Sequence, residues 1–298
     1  MENGVSGAMM ILGEALSGKT YFIETVANTL VEAEKIYITP PTKQNFDASD
    51  IHKALQNVFD KKGTATSILS QLERRTILIF DDLENWWLKA PNGNKAIDYL
   101  ATLIEKYGDK HYFILSCNIF SFDIIRKMSG IEKELLSTII VPPASKSELK
   151  DILLSRHRTA GAEIWYRNNL VHEAKKIDTF FSDIYYKSNG NIGVALDSWI
   201  NSIQKEEDNR LVIHKPKVVH FPKITDPNWK IILYHLAIHG RLNDEQFKRI
   251  FKNTDWLKEA LNELEKTSLV YRKSNMSYFL NHSAQHYVEE WLKELEVL

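Results

Sequence analysis

Short apolar runs alternate with longer amphipathic stretches over the first 143 residues of this 298-residue chain. The short runs have the length of buried strands, and the stretches between them carry apolar residues at helical spacing. We predict five strands, at residues 8–12, 36–39, 77–80, 112–117 and 137–141. Strands separated by helices form a mostly parallel sheet covered on both faces, with a ligand crevice at the carboxyl ends of the strands. Residues 1–143 are therefore predicted to form an α/β domain.

The strand pattern stops at the Pro142-Pro143 pair, and helical spacing replaces it. Three segments show this spacing, with polar breaks between them: 147–157, 164–177 and 191–203. We predict that residues 144–204 form a helical subdomain. The charged and proline-containing segment 205–222 has the composition of a linker.

A third pattern occupies residues 223–298. It predicts three helices, a short hairpin and a final amphipathic helix, at residues 228–239, 244–251, 255–266, 269–280 and 284–295. Three helices followed by a hairpin are the elements of a winged helix. We therefore predict a winged-helix domain at the C-terminal end of the sequence.

The overall composition gives the chain no electrostatic preference for nucleic acid or for anionic membranes. It has 38 Lys and Arg residues against 39 Asp and Glu residues, a formal net charge of −1. The single cysteine, Cys117, excludes an internal disulfide framework and fits a reducing compartment. The first residues lack the basic segment of a signal peptide, and no apolar run has transmembrane length. We expect a cytoplasmic globular protein without a membrane segment.

A phosphate-binding loop follows the first predicted strand. Its sequence matches the pattern G-x-x-x-x-G-K-[ST], and a predicted helix comes directly after it. The glycines let backbone N–H groups surround phosphate, while Lys19 is expected to reach the β- and γ-phosphates and the Thr20 hydroxyl to bind Mg²⁺. The predicted ATP site consists of Gly13, Glu14, Ala15, Leu16, Ser17, Gly18, Lys19, Thr20 and Tyr21.

Acidic residues follow the strand at 77–80, where a second part of this site is expected. Asp81 is predicted to hold the Mg²⁺ coordination shell. Asp82 occupies the next position, where a base could orient the attacking water. Glu84, two residues further on, is the competing candidate for that base, and an acid at the start of a turn or helix is the other interpretation of it.

With these two motifs, the first half of the chain resembles the AAA+ ATPases. The Asp81-Asp82 pair looks like that of bacterial replication initiators. Asn118, at the end of the strand 112–117, looks like the sensor-1 residue, which contacts the γ-phosphate or the attacking water. An asparagine that only caps the following turn is the alternative interpretation.

The resemblance extends to the lid segment of origin-recognition ATPases, with one departure. In that family a helix after a glycine carries a sensor-2 arginine, whereas this chain has Asn191, Ile192 and Gly193 in the corresponding stretch. The departure implies that the nucleotide contacts the lid weakly, or that a lysine such as Lys187 substitutes. Slow hydrolysis and a switch-like role are expected in consequence.

The resemblance also implies ATP and Mg²⁺ as cofactors, hydrolysis of ATP to ADP and phosphate, and action with a protein partner or by self-association. A neighbouring subunit would then supply an arginine finger. Arg126 and Arg156 are the candidates for it, and each also fits a cation that complements the end of its own helix. A STAND-like signalling or defence scaffold and a DNA-directed regulator of replication or transposition are the alternative functions.

The charge of the predicted winged helix does not favour specific DNA binding. Its third helix, at 255–266, has at least as many acidic as basic residues, so phosphates would repel it. Arg272 and Lys273 give the wing a small cationic surface, and the Arg156-His157-Arg158 triplet gives another. DNA remains a possible partner through these residues, and a protein partner is favoured over it.

Overall fold

In the computed structural model, the chain forms three units that follow one another along the sequence, each built on its own sheet. Residues 7–29, 33–158, 163–166, 169–171, 177–207, 210–215, 221–273 and 276–295 are described. Among them, no helix has the length and apolar character needed to cross a bilayer.

The first unit contains the predicted parallel sheet. Its strands are β1 (Gly7–Gly13), β2 (Glu34–Tyr37), β3 (Thr76–Phe80), β4 (Tyr112–Asn118) and β5 (Leu135–Ile140). Their order across the sheet is β2-β3-β4-β1-β5, and each neighbouring pair is parallel. β1 lies between β4 and β5, and every one of its residues is buried. Its carboxyl end therefore lies in the interior of the sheet, at the end of the strands where ligands bind in such folds.

Helices cover both faces of this sheet. They are α1 (Lys19–Thr29), α2 (Ala48–Phe59), α3 (Ala65–Ser70), α4 (Lys95–Tyr107) and α5 (Ile119–Met128). Side chains of β1 alternate between two cores, as the period of a strand requires. Met10 packs in the core beneath α2, α3 and α4, whereas Met9 and Ile11 pack in the core beneath α1. The predicted α/β architecture of this part of the chain is confirmed.

The second unit combines helices with a small sheet. Its elements are α6 (Lys146–Arg158), β6 (Glu163–Tyr166), β7 (Asn169–Leu170), α7 (Ile177–Ser188), α8 (Ile192–Ile200), β8 (Ile203–Glu207) and β9 (Arg210–Ile213). The strands have the order β7-β6-β9-β8. Aromatic rings of Phe180, Phe181 and Trp199 form the centre of its core.

Two predictions for this region were wrong. The segment 164–177 was predicted as a helix, yet residues 163–166 and 169–170 are strands; Ile164, Trp165 and Tyr166 are residue types that favour strands. The segment 205–222 was predicted as a linker, yet it contains β9 and the end of β8. β8 is an edge strand, where charged residues are common. Residues 216–220 of the predicted linker lie outside the described residues, and the domain boundaries stay predictions.

The third unit begins after residue 221. Its elements are α9 (Pro227–His239), β10 (Arg241–Asn243), α10 (Asp244–Ile250), α11 (Leu257–Lys266), β11 (Val270–Arg272), β12 (Ser277–Leu280) and α12 (His282–Glu294). β10, β12 and β11 form an antiparallel sheet in that order. The helices and the hairpin on which the winged-helix prediction depends are therefore present, together with the short strand β10. The winged-helix assignment itself stays a prediction.

The third unit packs directly against the first. The Arg241 guanidinium donates from Nε to the Asn85 side chain at 3.1 Å, and the Lys89 backbone N–H donates to His239 Nε2 at 3.2 Å. Burial holds the pKa of His239 well below its usual range, so this imidazole is neutral. Leu88 of the first unit belongs to the core of the third. The two units thus share apolar contacts as well as hydrogen bonds.

Trp199 and Ile200 give a matched test of the packing of α8. Trp199 is 1% exposed between two aromatic rings, whereas its neighbour Ile200 is 61% exposed. Trp199→Ala should lower the free energy of unfolding by about 3–5 kcal/mol, because it leaves a large cavity. Ile200→Ala should change it by no more than about 0.5 kcal/mol. Urea unfolding followed by circular dichroism measures both, and equal losses would contradict this placement of α8.

Candidate functional site

The loop between β1 and α1 surrounds a concave space with backbone groups. Leu16 and Gly18 have left-handed backbone conformations, with φ of 63° and 95°, and α1 begins at Lys19. The unpaired N–H groups of the first helical turn therefore face this loop. The Lys19 ammonium is almost fully buried and donates to the carbonyl oxygens of Glu14, at 3.1 Å, and Gly13, at 3.4 Å. The loop and its lysine have the form of an anion-binding nest.

Side chains from β3 and β4 meet this loop. The Thr20 hydroxyl donates to Asp81 Oδ2 at 2.7 Å, although the two residues are 61 positions apart. The Ser116 hydroxyl donates to the other oxygen of Asp81 and accepts the Asp82 backbone N–H at 2.9 Å. Both oxygens of Asp81 are thus held. No sequence motif assigned Ser116 a role of its own. The one signal for it is that it is a polar residue within an apolar strand, and its hydroxyl is fully buried in the structure.

Asp82 lies in a strained and acidic position. Its φ of 53° and ψ of 62° are left-handed, which is uncommon for a residue other than glycine. Burial, followed by the charges of Glu84 and Asp81, raises its pKa to about 7, against the opposing charges of Lys19 and Arg241. A carboxylate with such a pKa can accept a proton near neutral pH, which is the property required of a general base.

Glu84 and Asn118 contact each other through a backbone group. The buried Glu84 carboxylate accepts the Asn118 N–H at 3.0 Å. The Asn118 side chain accepts the Phe120 N–H at 2.9 Å and so caps α5. Asn118 therefore caps the following helix, as the alternative interpretation of this residue predicted. Its role as the sensor-1 residue stays a prediction.

The second unit, whose turn before α8 and start of α8 correspond to the predicted lid segment, contacts the phosphate loop itself. Asn191 Nδ2 donates to the Ala15 carbonyl at 2.8 Å, and the Gly193 N–H donates to the Leu16 carbonyl at 3.0 Å. A Cβ atom at position 193 would lie 2.5 Å from the Leu16 Cβ, so this approach requires glycine. Two hydrogen bonds thus join the lid to the loop. A weak contact between the lid and the nucleotide, or its replacement by a lysine such as Lys187, stays a prediction.

A cavity of about 300 Å³ adjoins the first residues of the loop. The ends of β1 and β5, the start of α5, the turn before α8 and one residue of α12 surround it. The residue from α12 is Lys293, whose ammonium lies 3.1 Å from the Glu14 carboxylate. No sequence pattern connected this lysine with the site.

The remaining predicted residues lie at the surface. Tyr21 is 75% exposed on α1. Arg126 on α5 forms ion pairs with Asp123 at 2.9 Å and Glu132 at 3.6 Å, and Arg156 is exposed on α6. An arginine finger acts on a neighbouring subunit, so its assignment to Arg126 or Arg156 stays a prediction.

Solved structures resemble this chain over its full length. ORC2 from Aeropyrum pernix in its ADPNP–ADP complexes is 14% identical, with a TM-score of 0.53, and the match covers 100% of this chain and 91% of that one. The ADP form of ORC2 is 14% identical, with a TM-score of 0.51 and coverages of 98% and 88%. ORC2 is an AAA+ P-loop ATPase. The chain has the AAA+ fold.

Two further observations accompany this result. Cdc6p from Pyrobaculum aerophilum is 16% identical, with a TM-score of 0.48 and coverages of 99% and 91%. A comparison with protein-family models gave no match, and a comparison with curated proteins gave none. At 14% identity the likeness to ORC2 shows the fold, and a shared fold does not imply a shared function.

The contact between Glu84 and Asn118 can be tested by stability. Glu84→Ala would leave the buried Asn118 N–H without an acceptor, which should lower the free energy of unfolding by about 1–3 kcal/mol. Glu84→Gln also removes the charge but keeps an oxygen acceptor, so it should lose distinctly less. Urea unfolding of both variants isolates the hydrogen bond, and equal stabilities would show that it contributes nothing.

Proposed function

We propose that this chain binds ATP with Mg²⁺, hydrolyses it slowly to ADP and phosphate, and acts as a nucleotide-dependent switch of the AAA+ type. The observation that carries this proposal is the hydrogen bond between Thr20 and Asp81, because it joins the end of the phosphate loop to the acidic end of β3. The ORC2 structures contain ADPNP and ADP, which supports nucleotide binding by a chain of this fold.

The residues present suit a Mg²⁺ ion. The Thr20 hydroxyl and the Asp81 carboxylate are hard oxygen donors held 2.7 Å apart, and Mg²⁺ in phosphate sites takes one or two protein ligands besides water and phosphate oxygens. When bound, the ion neutralises charge on the transferred phosphoryl group. Ser116 keeps the Asp81 carboxylate oriented, since it occupies the second carboxylate oxygen.

The other roles follow from the contacts. Lys19 gives its ammonium to the phosphates in place of the two loop carbonyls that it contacts. Asp82 orients and deprotonates the attacking water, and its raised pKa suits that role. Glu84 remains the competing base, although its carboxylate is engaged by Asn118.

A second function is favoured by one observation. The third unit is packed on the first through Arg241 and His239, which is the arrangement expected of a STAND-like scaffold held inactive as a monomer. Mass measurement in solution with and without ATP and Mg²⁺, beside a phosphate-release assay, separates the two functions. Nucleotide-driven assembly supports the AAA+ switch, whereas a nucleotide-locked monomer supports the scaffold.

The charge on the surface of α11 favours a protein partner or self-association over DNA. Its exposed side chains include Lys258 and Lys266 but also Glu259 and Glu263, so this surface has no net positive charge. A helix that reads the major groove needs cationic contacts to the phosphates beside it. DNA binding through the wing residues Arg272 and Lys273 stays a prediction that the charge of α11 does not favour.

Lys19→Ala should weaken ATP binding by about 100-fold, equivalent to about 2.7 kcal/mol, because the ammonium no longer contacts the phosphates. Lys252→Ala, which removes an exposed lysine of the third unit, is the matched control and should bind like the unaltered protein. Isothermal titration calorimetry measures both affinities, with circular dichroism to verify folding. Unchanged affinity in a folded Lys19→Ala protein would overturn the phosphate-loop assignment.

Asp82→Asn should leave ATP bound and slow hydrolysis by about 100-fold, since a positioned general base contributes at least about that factor. Glu84→Gln should slow it less. Single-turnover phosphate release at saturating ATP compares the two variants without the influence of affinity. A larger loss in Glu84→Gln would assign the base to Glu84.

A further inference from the structure

One lysine from the far end of the sequence lies at the phosphate loop. The Lys293 ammonium, on α12, is 3.1 Å from the Glu14 carboxylate and 2.7 Å from that of Glu290. It also lies 5.2 Å from the centroid of the Phe120 ring at the start of α5. Lys293 therefore connects the last helix of the third unit to the second residue of the phosphate loop.

The cavity beside the loop has one cationic and one anionic side chain among the described residues that line it, Lys293 and Glu14. The lid contributes the turn 189–191 to this lining, with no positive charge. Lys187, which sequence reasoning offered as a substitute for the missing arginine, does not line the cavity. Lys293 thus supplies the positive charge that the lid lacks here.

The charge of α12 on this side is coupled to that of the loop. Glu289 is 1% exposed, and burial raises its pKa to about 7; its hydrogen bond to Gln285 and the charges of Lys293 and Lys19 oppose the shift, while Glu14 reinforces it. The distance of 3.1 Å between Lys293 and Glu14 agrees with this, so a charge on the loop and a charge on α12 affect each other.

Glu14 is an unfavourable neighbour for phosphate. A carboxylate in the second position of the loop repels a polyphosphate, unless a cation neutralises it. A polyphosphate also carries more negative charge than a carboxylate, so it is the stronger partner for an ammonium at the same place. An ammonium on a flexible four-carbon stem can exchange one acceptor for the other.

We propose that Lys293 is a phosphate-binding residue that α12 supplies to the nucleotide site of the same chain, exchanging Glu14 for the phosphate groups when a nucleotide binds. The proposal rests on the proposed function and adds a residue from outside the nucleotide unit and the lid. Since α12 closes the third unit, occupancy of the phosphate loop then influences the position of that unit directly.

The test must separate contact with phosphate from simple neutralisation of Glu14. For this reason the reference is the Glu14→Gln protein, in which no carboxylate at position 14 needs a partner. Lys293→Met in that background removes the ammonium and keeps an unbranched apolar side chain against Phe120. We expect ATP to bind the double variant about tenfold more weakly than Glu14→Gln alone, equivalent to about 1.4 kcal/mol.

Inorganic tripolyphosphate, displacing a fluorescent ATP analogue, should show the same tenfold difference, because it has phosphates and no base. Glu14→Gln with Lys266→Met, which removes an exposed lysine of α11, is the matched control and should bind as Glu14→Gln does. Glu14→Gln with Lys293→Arg should retain the affinity. Thermal unfolding verifies that all four proteins are folded.

Equal ATP affinities of Glu14→Gln and Glu14→Gln/Lys293→Met would overturn the inference, since Lys293 would then serve only to neutralise Glu14. A loss for ATP without a loss for tripolyphosphate would overturn it as well, because the contact would be to the nucleoside. If the unaltered, folded protein bound neither ligand, the proposed function would fail first.

Discussion

The hydrogen bond between Thr20 and Asp81 is the constraint on which the site depends. Thr20 follows β1 and Asp81 follows β3, and in the sheet β4 lies between these two strands. All three strands are parallel, so their carboxyl ends lie at the same edge and bring the two residues together. Ser116 on β4 holds the second oxygen of Asp81, on the side of the carboxylate that Thr20 does not contact. The order of strands in the sheet thereby places a hydroxyl, a carboxylate and a second hydroxyl in one row.

The phosphate loop is also the place where the three units meet. The lid contacts its Ala15 and Leu16 carbonyls through Asn191 and Gly193, and α12 contacts its Glu14 carboxylate through Lys293. A change in the loop, such as the proposed binding of phosphate, would therefore reach the lid and the third unit through these direct contacts. Such direct contact is the physical basis for coupling between a ligand and the arrangement of units.

The first unit could be predicted from the sequence, because apolar strands and amphipathic helices leave a local period and the loop has a dense local motif. The described bounds of β1, β3 and β4 agree with the prediction within a residue. The sheet β7-β6-β9-β8 could not be predicted, since its short strands of mixed composition depend on pairing with distant partners. The role of Ser116 could not be predicted because it depends on the register of β4 beside β3. The role of Lys293 could not be predicted because its partner Glu14 lies 279 positions away in the sequence.

Acidic charge and backbone strain are concentrated at the same edge of the sheet. The charges of Glu84 and Asp81 add to burial in raising the pKa of Asp82. Asp82 also has a left-handed backbone conformation. Like charges and sparsely populated backbone conformations oppose folding, so a structure keeps them only where the surrounding contacts enforce them. The enforcing contacts here are the buried strand β3 and the Ser116 hydroxyl, which accepts the Asp82 N–H. A cation that enters between Thr20 and Asp81 would relieve the repulsion, so the arrangement that weakens the fold would strengthen the proposed binding of Mg²⁺ and nucleotide.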